Sequence, residues 1–116
     1  MLAHIKQLIE LFAPLCSDRS TLDELHRMVS DDRSWRKAHD LFDRIRPKTL
    51  AAESRKDSRA DSQYLFEEVC AEALYNLSDT DAPFDPDSPY WIVPNALSLA
   101  RQLGIHESEV IKIVAG

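Results

Sequence analysis

SQYLFEEVCAEALYNLS, residues 62–78, is the longest stretch of the chain in which apolar side chains recur at helical spacing. The apolar positions follow one another every three or four residues and fill more than one face of a helix. They are Leu65, Phe66, Val69, Cys70, Ala73, Leu74 and Leu77. A helix that is apolar on several sides must pack against several neighbours, so this segment predicts the central element of a helical domain.

Shorter amphipathic stretches lie on both sides of this central segment. We predict a first helix that ends near Pro14, a second that begins with a Thr21–Glu24 capping box, and a third that Ser30 caps and that stops at Arg46 before Pro47. A weaker helical stretch follows from Lys48 to about Arg55.

Residues 53–63 are mostly polar and form either a solvated helix end or a mobile connection. Further helices are predicted after Ser88-Pro89 and over Glu107–Ala115, with Gly104 as a left-handed terminator between them and Pro94 as a kink or a second start. Glycine is scarce and helix-forming residues dominate. The sequence therefore predicts a single all-α domain over residues 1–116, an irregular bundle of five or six short helices.

Composition also predicts the environment of the protein. Cys16 and Cys70 have no neighbouring cysteine; one bridge between them is conceivable, but two buried free thiols in a reducing cytosol are the simpler expectation. The first sixteen residues are interrupted by Lys6, Gln7 and Glu10, unlike a signal peptide, and no apolar run approaches the roughly 20 residues that span a membrane. We expect a cytoplasmic protein, a monomer or homodimer without a membrane partner.

Charge is distributed unevenly along the chain, whose net charge is −6. Nine of the 14 basic residues lie between Arg33 and Arg59, whereas eight acidic residues lie between Asp61 and Asp87. No Lys or Arg occurs between positions 60 and 100. An acidic block of this kind disfavours nucleic acid and favours a strongly basic partner. The basic stretch is expected to be a solvated, ion-paired helix face.

No combination of residues indicates catalysis or a bound cofactor. His39 and Asp43 are spaced to share a helix face, but no nucleophile accompanies them, so we interpret them as a surface ion pair. The aspartates of residues 79–87 lack the glycine and terminal glutamate of a calcium loop. Glu67, Glu68 and Glu72 lack the Glu-x-x-His pattern of metal-binding bundles and are expected on a solvated or partner-facing side. We predict neither an enzyme nor a metal site.

Residues 95–115 offer an alternative function. Ala100, Gly104, Ile105, Val110 and Ile113 occupy positions typical of a helix-turn-helix. The second helix would face DNA with glutamates and with a single basic residue, Lys112. It is therefore poorly suited to bind a DNA duplex. A helix-turn-helix regulator or antitoxin is therefore the second hypothesis.

PFDPDSPYWIVPNALSLARQLGI, residues 83–105, together with the preceding CAEALYNLS, resembles the C-terminal part of small helical bacterial immunity proteins from polymorphic toxin systems. These include the immunity proteins of contact-dependent inhibition and Rhs-type systems. The resemblance covers about a third of the chain, and its most distinctive element is Asp-Pro-Asp-Ser-Pro-Tyr-Trp. It implies a small, acidic, cytoplasmic and non-catalytic protein.

The leading hypothesis is an immunity protein that neutralises a cognate toxin domain, a basic nuclease, through its acidic surface. Aromatic residues beside the acidic block would supply an apolar anchor, as at interface hot spots. Anchoring the loop to the bundle is an alternative role that the sequence supports equally. The candidate partner-binding residues are Glu68, Glu72, Asp79, Asp81, Asp85, Asp87, Tyr90 and Trp91.

Overall fold

The computed structural model describes residues 2–30, 37–78 and 88–116. Within these ranges the chain forms six α-helices and one short 3-10 turn, Ala13–Leu15, which confirms the predicted all-α bundle. The helices are α1 (Leu2–Phe12), α2 (Ser20–Ser30), α3 (Ala38–Arg55), α4 (Ser58–Ser78), α5 (Ser88–Leu103) and α6 (Glu107–Ala115).

Helix α4 is the central element, as its apolar pattern predicts. It packs most extensively against α3 and α5 and also contacts α2, while α1 packs on α2 and α6. Phe66 of α4 is fully buried and meets Phe12 of α1 edge to face, with ring centroids 5.1 Å apart. An aromatic pair of this geometry adds about 1 kcal/mol beyond the area that it buries. The core is therefore organised around α4.

Two of the predicted caps are wrong. Helix α2 begins at Ser20, so Thr21 lies inside the helix and is buried instead of capping it. Ser30 is the last residue of α2, and its hydroxyl donates to the carbonyl of His26. The third helix is described from Ala38 onward, and residues 31–36 lie outside the described residues.

Pro47 does not end α3, which continues for eight further residues to Arg55. Proline removes one backbone hydrogen bond, to the carbonyl of Asp43, at a cost of about 3 kcal/mol. The side chains of Asp43 and Pro47 are both exposed, so the freed carbonyl lies on the solvent side of the helix. Ile45 and Thr49, on the opposite side, are buried. Burial of that face outweighs the local cost of the proline.

Residues 53–63 are helical except for a two-residue turn. Lys56 adopts a left-handed conformation (φ +56°), and the amides of Lys56 and Asp57 donate to the carbonyls of Glu53 and Ala52, both at 3.0 Å. The Asp57 carboxylate then accepts from the amide of Ala60 at 3.1 Å, which is the geometry of an N-cap for α4. This tight turn makes α3 and α4 neighbours, which places the basic residues of α3 beside the acidic residues of α4.

The junction between α5 and α6 agrees with the prediction. Pro94 lies inside one continuous α5, and Gly104 (φ +77°) ends that helix. The amides of Gly104 and Ile105 donate to the carbonyls of Arg101 (3.3 Å) and Ala100 (2.8 Å), which satisfies the last turn of α5. His106 Nδ1 accepts from the amide of Ser108 at 3.1 Å and caps α6. Helices α5 and α6 are thus joined through a glycine turn.

Candidate partner-binding surface

Trp91 is the most exposed large apolar side chain among the described residues. It lies in the first turn of α5 and keeps 54% of its surface exposed. Its backbone carbonyl accepts a hydrogen bond from Asn95 Nδ2 at 2.8 Å, one turn further along the helix. The prediction that aromatic residues border the acidic segment thus leads to a side chain that is available at the surface.

The acidic segment itself is only partly described. Asp79, Asp81, Asp85 and Asp87 lie outside the described residues, as does the side chain of Tyr90, whose backbone belongs to α5. Residues 79–87 join the end of α4 to the first turn of α5, which carries Trp91.

Glu72 is half-buried in α4 and interacts with other residues. Among the predicted residues whose side chains the structure describes, Glu72 and Trp91 are at least partly accessible.

The expectation for Glu68 is wrong because this side chain is buried, with only 6% of the residue exposed. Its carboxylate is held within the fold: Thr49 Oγ1 donates to it at 2.6 Å, and Arg46 Nη1 lies 3.5 Å away. Both partners come from α3, which crosses α4 at this point. Glu68 therefore supports the α3–α4 interface and is not available to a partner.

Glu67 departs further from the expectation of a solvated side. It is completely buried, and neither carboxyl oxygen has a hydrogen-bond partner among the described residues. Burial raises the pKa of Glu67 to about 8, and the negative charge of Asp18 adds to this effect, while Lys48 and the Gln63 amide oppose it. The neutral acid is therefore the form that this site accommodates at pH 7.

Helical spacing contained a signal for the burial of Glu67 that sequence reasoning missed. Glu67 lies four positions before Ala71 and seven before Leu74, and all three residues are completely buried. Residues at these separations share one helix face. A carboxyl on the face of Ala71 and Leu74 was thus a candidate for burial, although its charged chemistry argued for the surface.

The basic stretch of α3 is ion-paired within the fold. Arg44 contacts Glu24 at 2.7 Å, and Lys48 contacts Asp18 at 3.3 Å, in addition to the Arg46–Glu68 pair. These contacts support the interpretation of a solvated, paired face.

His39 and Asp43 also form the expected pair, 3.4 Å apart and largely exposed. The imidazole contacts the ring of Tyr75, with centroids 5.3 Å apart.

The cations of the α5–α6 unit are likewise paired with carboxylates. Arg101 lies 2.7 Å from Glu107, and Lys112 lies 3.7 Å from Glu109. Val110 is buried against the bundle, as the helix-turn-helix pattern predicts, while Ile111 is half exposed. The surface of α6 carries two acidic residues and one basic residue, so its charge gives little attraction for a phosphate backbone.

In the described ranges, no group of three or more His, Cys, Asp or Glu side chains converges to hold a metal ion. Each helix within residues 2–30, 37–78 and 88–116 is too short or too polar to cross a membrane. Comparison with protein-family models, with curated proteins and with solved structures gives no match.

Proposed function

We propose that this chain is a cytoplasmic immunity protein that binds and neutralises a cognate toxin domain, a basic nuclease. The observation that carries the proposal is the exposed indole of Trp91, which follows an aspartate-rich segment along the chain. Tryptophan is among the residues most enriched in binding hot spots. An aromatic anchor next to acidic residues suits a partner with a basic surface around an apolar pocket.

The proposed mechanism is stoichiometric inhibition. Carboxylates of Glu72, Asp79, Asp81, Asp85 and Asp87 would occupy the basic groove in which the nuclease holds phosphates, with Tyr90 and Trp91 as apolar contacts. Complementary charge accelerates the encounter of the two proteins, and the buried aromatic contact slows their separation. Glu68 is excluded from the proposed surface because Thr49 and Arg46 hold its carboxylate.

The proposal is tested first by co-expression. The tagged protein is produced together with the products of its neighbouring genes and recovered by affinity, and the bound proteins are identified by mass spectrometry. A stoichiometric toxin domain supports the proposal. Recovery of no protein, or of DNA alone, contradicts it.

The same complex allows a residue-level test with a matched control. Trp91→Ala is expected to weaken toxin binding about 30-fold, which corresponds to a hot-spot loss of about 2 kcal/mol. Leu50→Ala removes a comparably exposed apolar side chain (48%) from α3 and should leave the affinity unchanged. Equal effects of the two substitutions would place the interface elsewhere. Asp79, Asp81 and Asp85 changed together to Lys should abolish protection against the toxin.

A second candidate function is a helix-turn-helix regulator or antitoxin that uses residues 95–115. The glycine turn between α5 and α6 favours it, whereas the pairing of Arg101 and Lys112 with glutamates argues against it. This alternative predicts salt-sensitive DNA binding that Lys112→Glu weakens. Absence of DNA binding at low salt would eliminate it.

A further inference from the structure

Asp18, in the segment between the 3-10 turn and α2, contacts both helices of the pair α3–α4. Gln63 Nε2 donates to the Asp18 carbonyl at 2.7 Å, and Lys48 Nζ and the Tyr64 hydroxyl both contact carboxylate oxygen Oδ2 at 3.3 Å. Ser20 donates to the other carboxylate oxygen at 2.9 Å. We call the contacts of Lys48, Gln63 and Tyr64 with Asp18 the Asp18 latch.

The Asp18 latch depends on a negative charge. Burial of Asp18 opposes ionisation, but hydrogen bonds from Ser20 and Lys48 outweigh it and hold the pKa of Asp18 below its usual range. The carboxylate is therefore ionised at neutral pH and attracts the Lys48 ammonium. Arg59 of α4 contacts the end of the adjoining 3-10 turn, because its guanidinium donates to the Leu15 carbonyl at 3.3 Å.

Glu67 lies within electrostatic reach of this same segment. The charge of Asp18 disfavours ionisation of Glu67, and the pKa of Cys16 in the same segment is raised by burial and further by the charge of Glu67. Neither carboxyl oxygen of Glu67 has a hydrogen-bond partner among the described residues, and the attraction of Lys48 and of the Gln63 amide does not outweigh the burial of the carboxyl group.

Among the titratable groups around Glu67, Asp18 favours the neutral carboxyl and Lys48 favours the anion. The segment contributes Asp18 and Cys16, α3 contributes Lys48, and α4 itself contributes Tyr64 and Cys70. From the other helices that pack on α4, Arg101 is the only charged residue of α5 and pairs with Glu107, and in α2 Glu24 pairs with Arg44 and His26 with Glu10. Among the described groups, Lys48 is the cation that favours ionisation of Glu67, and its ammonium also contacts the Asp18 carboxylate.

We propose that Glu67 is a proton-controlled switch. When Glu67 loses its proton, its carboxylate repels that of Asp18, breaks the Asp18 latch and releases residues 15–19 from α4. The neutral acid fits the dry site and leaves Lys48 to Asp18. The anion competes for Lys48, repels the Asp18 carboxylate and gains hydration only if the segment moves away. The inference is independent of the proposed function, because Glu67 and the Asp18 latch contain none of the proposed partner-binding residues.

The experiment is hydrogen–deuterium exchange, followed by mass spectrometry, of the full chain and of Glu67→Gln at pH 5.5 and pH 8. Comparison of the two proteins at the same pH removes the intrinsic pH dependence of exchange. If opening restores an ordinary pKa to Glu67, the ratio of wild-type to variant opening constants in residues 15–19 rises about 100-fold between these pH values. Glu67→Met, which is similar in length and does not titrate, replaces Glu67→Gln if that variant does not fold.

Two other regions serve as internal references. Residues 15–19 should open more readily than the buried part of α5 around Ala96–Ala100, because their release does not require global unfolding. Fraying of helix α6 does not expose Glu67, so the ratio of wild-type to variant opening constants in α6 should not change with pH. The switch is refuted if the ratio in residues 15–19 is the same at both pH values. It is also refuted if that segment opens only together with the α5 core.

Discussion

Replacement of Glu67 by glutamine is expected to stabilise the protein increasingly as the pH rises. The pKa of this group is about 8 in the folded chain and 4.5 for an unperturbed glutamic acid. Between these values the unfolded state releases a proton that the folded state retains. The stability associated with the neutral carboxyl is therefore fully present below pH 4.5 and is lost progressively as the pH rises to about 8. Above pH 8 the loss is complete and does not grow further.

The magnitude follows from the size of this window. At 1.36 kcal/mol for each pKa unit, a window from 4.5 to about 8 corresponds to about 5 kcal/mol in the free energy of unfolding. About 3 kcal/mol of that is lost by pH 7. This is a large share of the 5–15 kcal/mol that is typical of a whole domain.

The assay is urea unfolding followed by circular dichroism at pH 4, 6, 7 and 9 at constant ionic strength. The difference between wild type and Glu67→Gln should grow with pH from 4.5 to 8 and then level off, because all other titrations cancel in the difference. Glu53→Gln changes an exposed glutamate of α3 and should stay within about 0.5 kcal/mol at every pH. A difference that does not vary between pH 4.5 and pH 8 would refute the assignment of Glu67 as a buried neutral acid.

Three other substitutions test local features of the fold. Thr49→Val keeps the packing of α3 but removes the donor at 2.6 Å from Glu68, so it should cost about 1–3 kcal/mol by urea unfolding; a neutral result would mean that the buried carboxylate does not need this hydrogen bond. Lys56→Gly relieves a left-handed lysine (φ +56°) and should raise the Tm by several degrees, corresponding to about 0.5–1 kcal/mol, whereas a lower Tm would contradict the strain argument. Gly104→Ala should lower stability by about 1 kcal/mol through φ alone, since no atom lies within 4 Å of the added Cβ; an unchanged Tm would show that the turn tolerates a side chain.

Local sequence signals were sufficient to predict a helix end where its structure depends only on neighbouring residues. Gly104 and the first turn of α6 are at the predicted positions, because a left-handed terminator and a following cap involve only neighbouring residues. Pro47 was misjudged for the complementary reason. Proline has a local cost that the sequence shows, but the burial of Ile45 and Thr49 is a tertiary contribution that the segment alone does not contain.

The candidate surface was predictable in part. The exposure of Trp91 agrees with its proposed role, although nothing in its helical spacing required the indole to be accessible. For Glu68 the same kind of reasoning failed. Its charge indicated solvent, yet Thr49, 19 positions earlier in the chain, approaches close enough to hold the carboxylate in a buried interface.

By itself the sequence determined the helical class, the central role of residues 62–78 and the turn between the last two helices. Each of these rests on periodicity or on a cap, which act over a few residues. Only the tertiary structure decided which acidic residues of α4 leave the solvent. Burial of Glu67 and Glu68 accompanies the contacts of α4 with Thr49 and with Asp18, and these contacts join residues 19 and 45 positions apart in the sequence. Desolvation is the sum of those separate contacts, so it does not exist until the chain has folded.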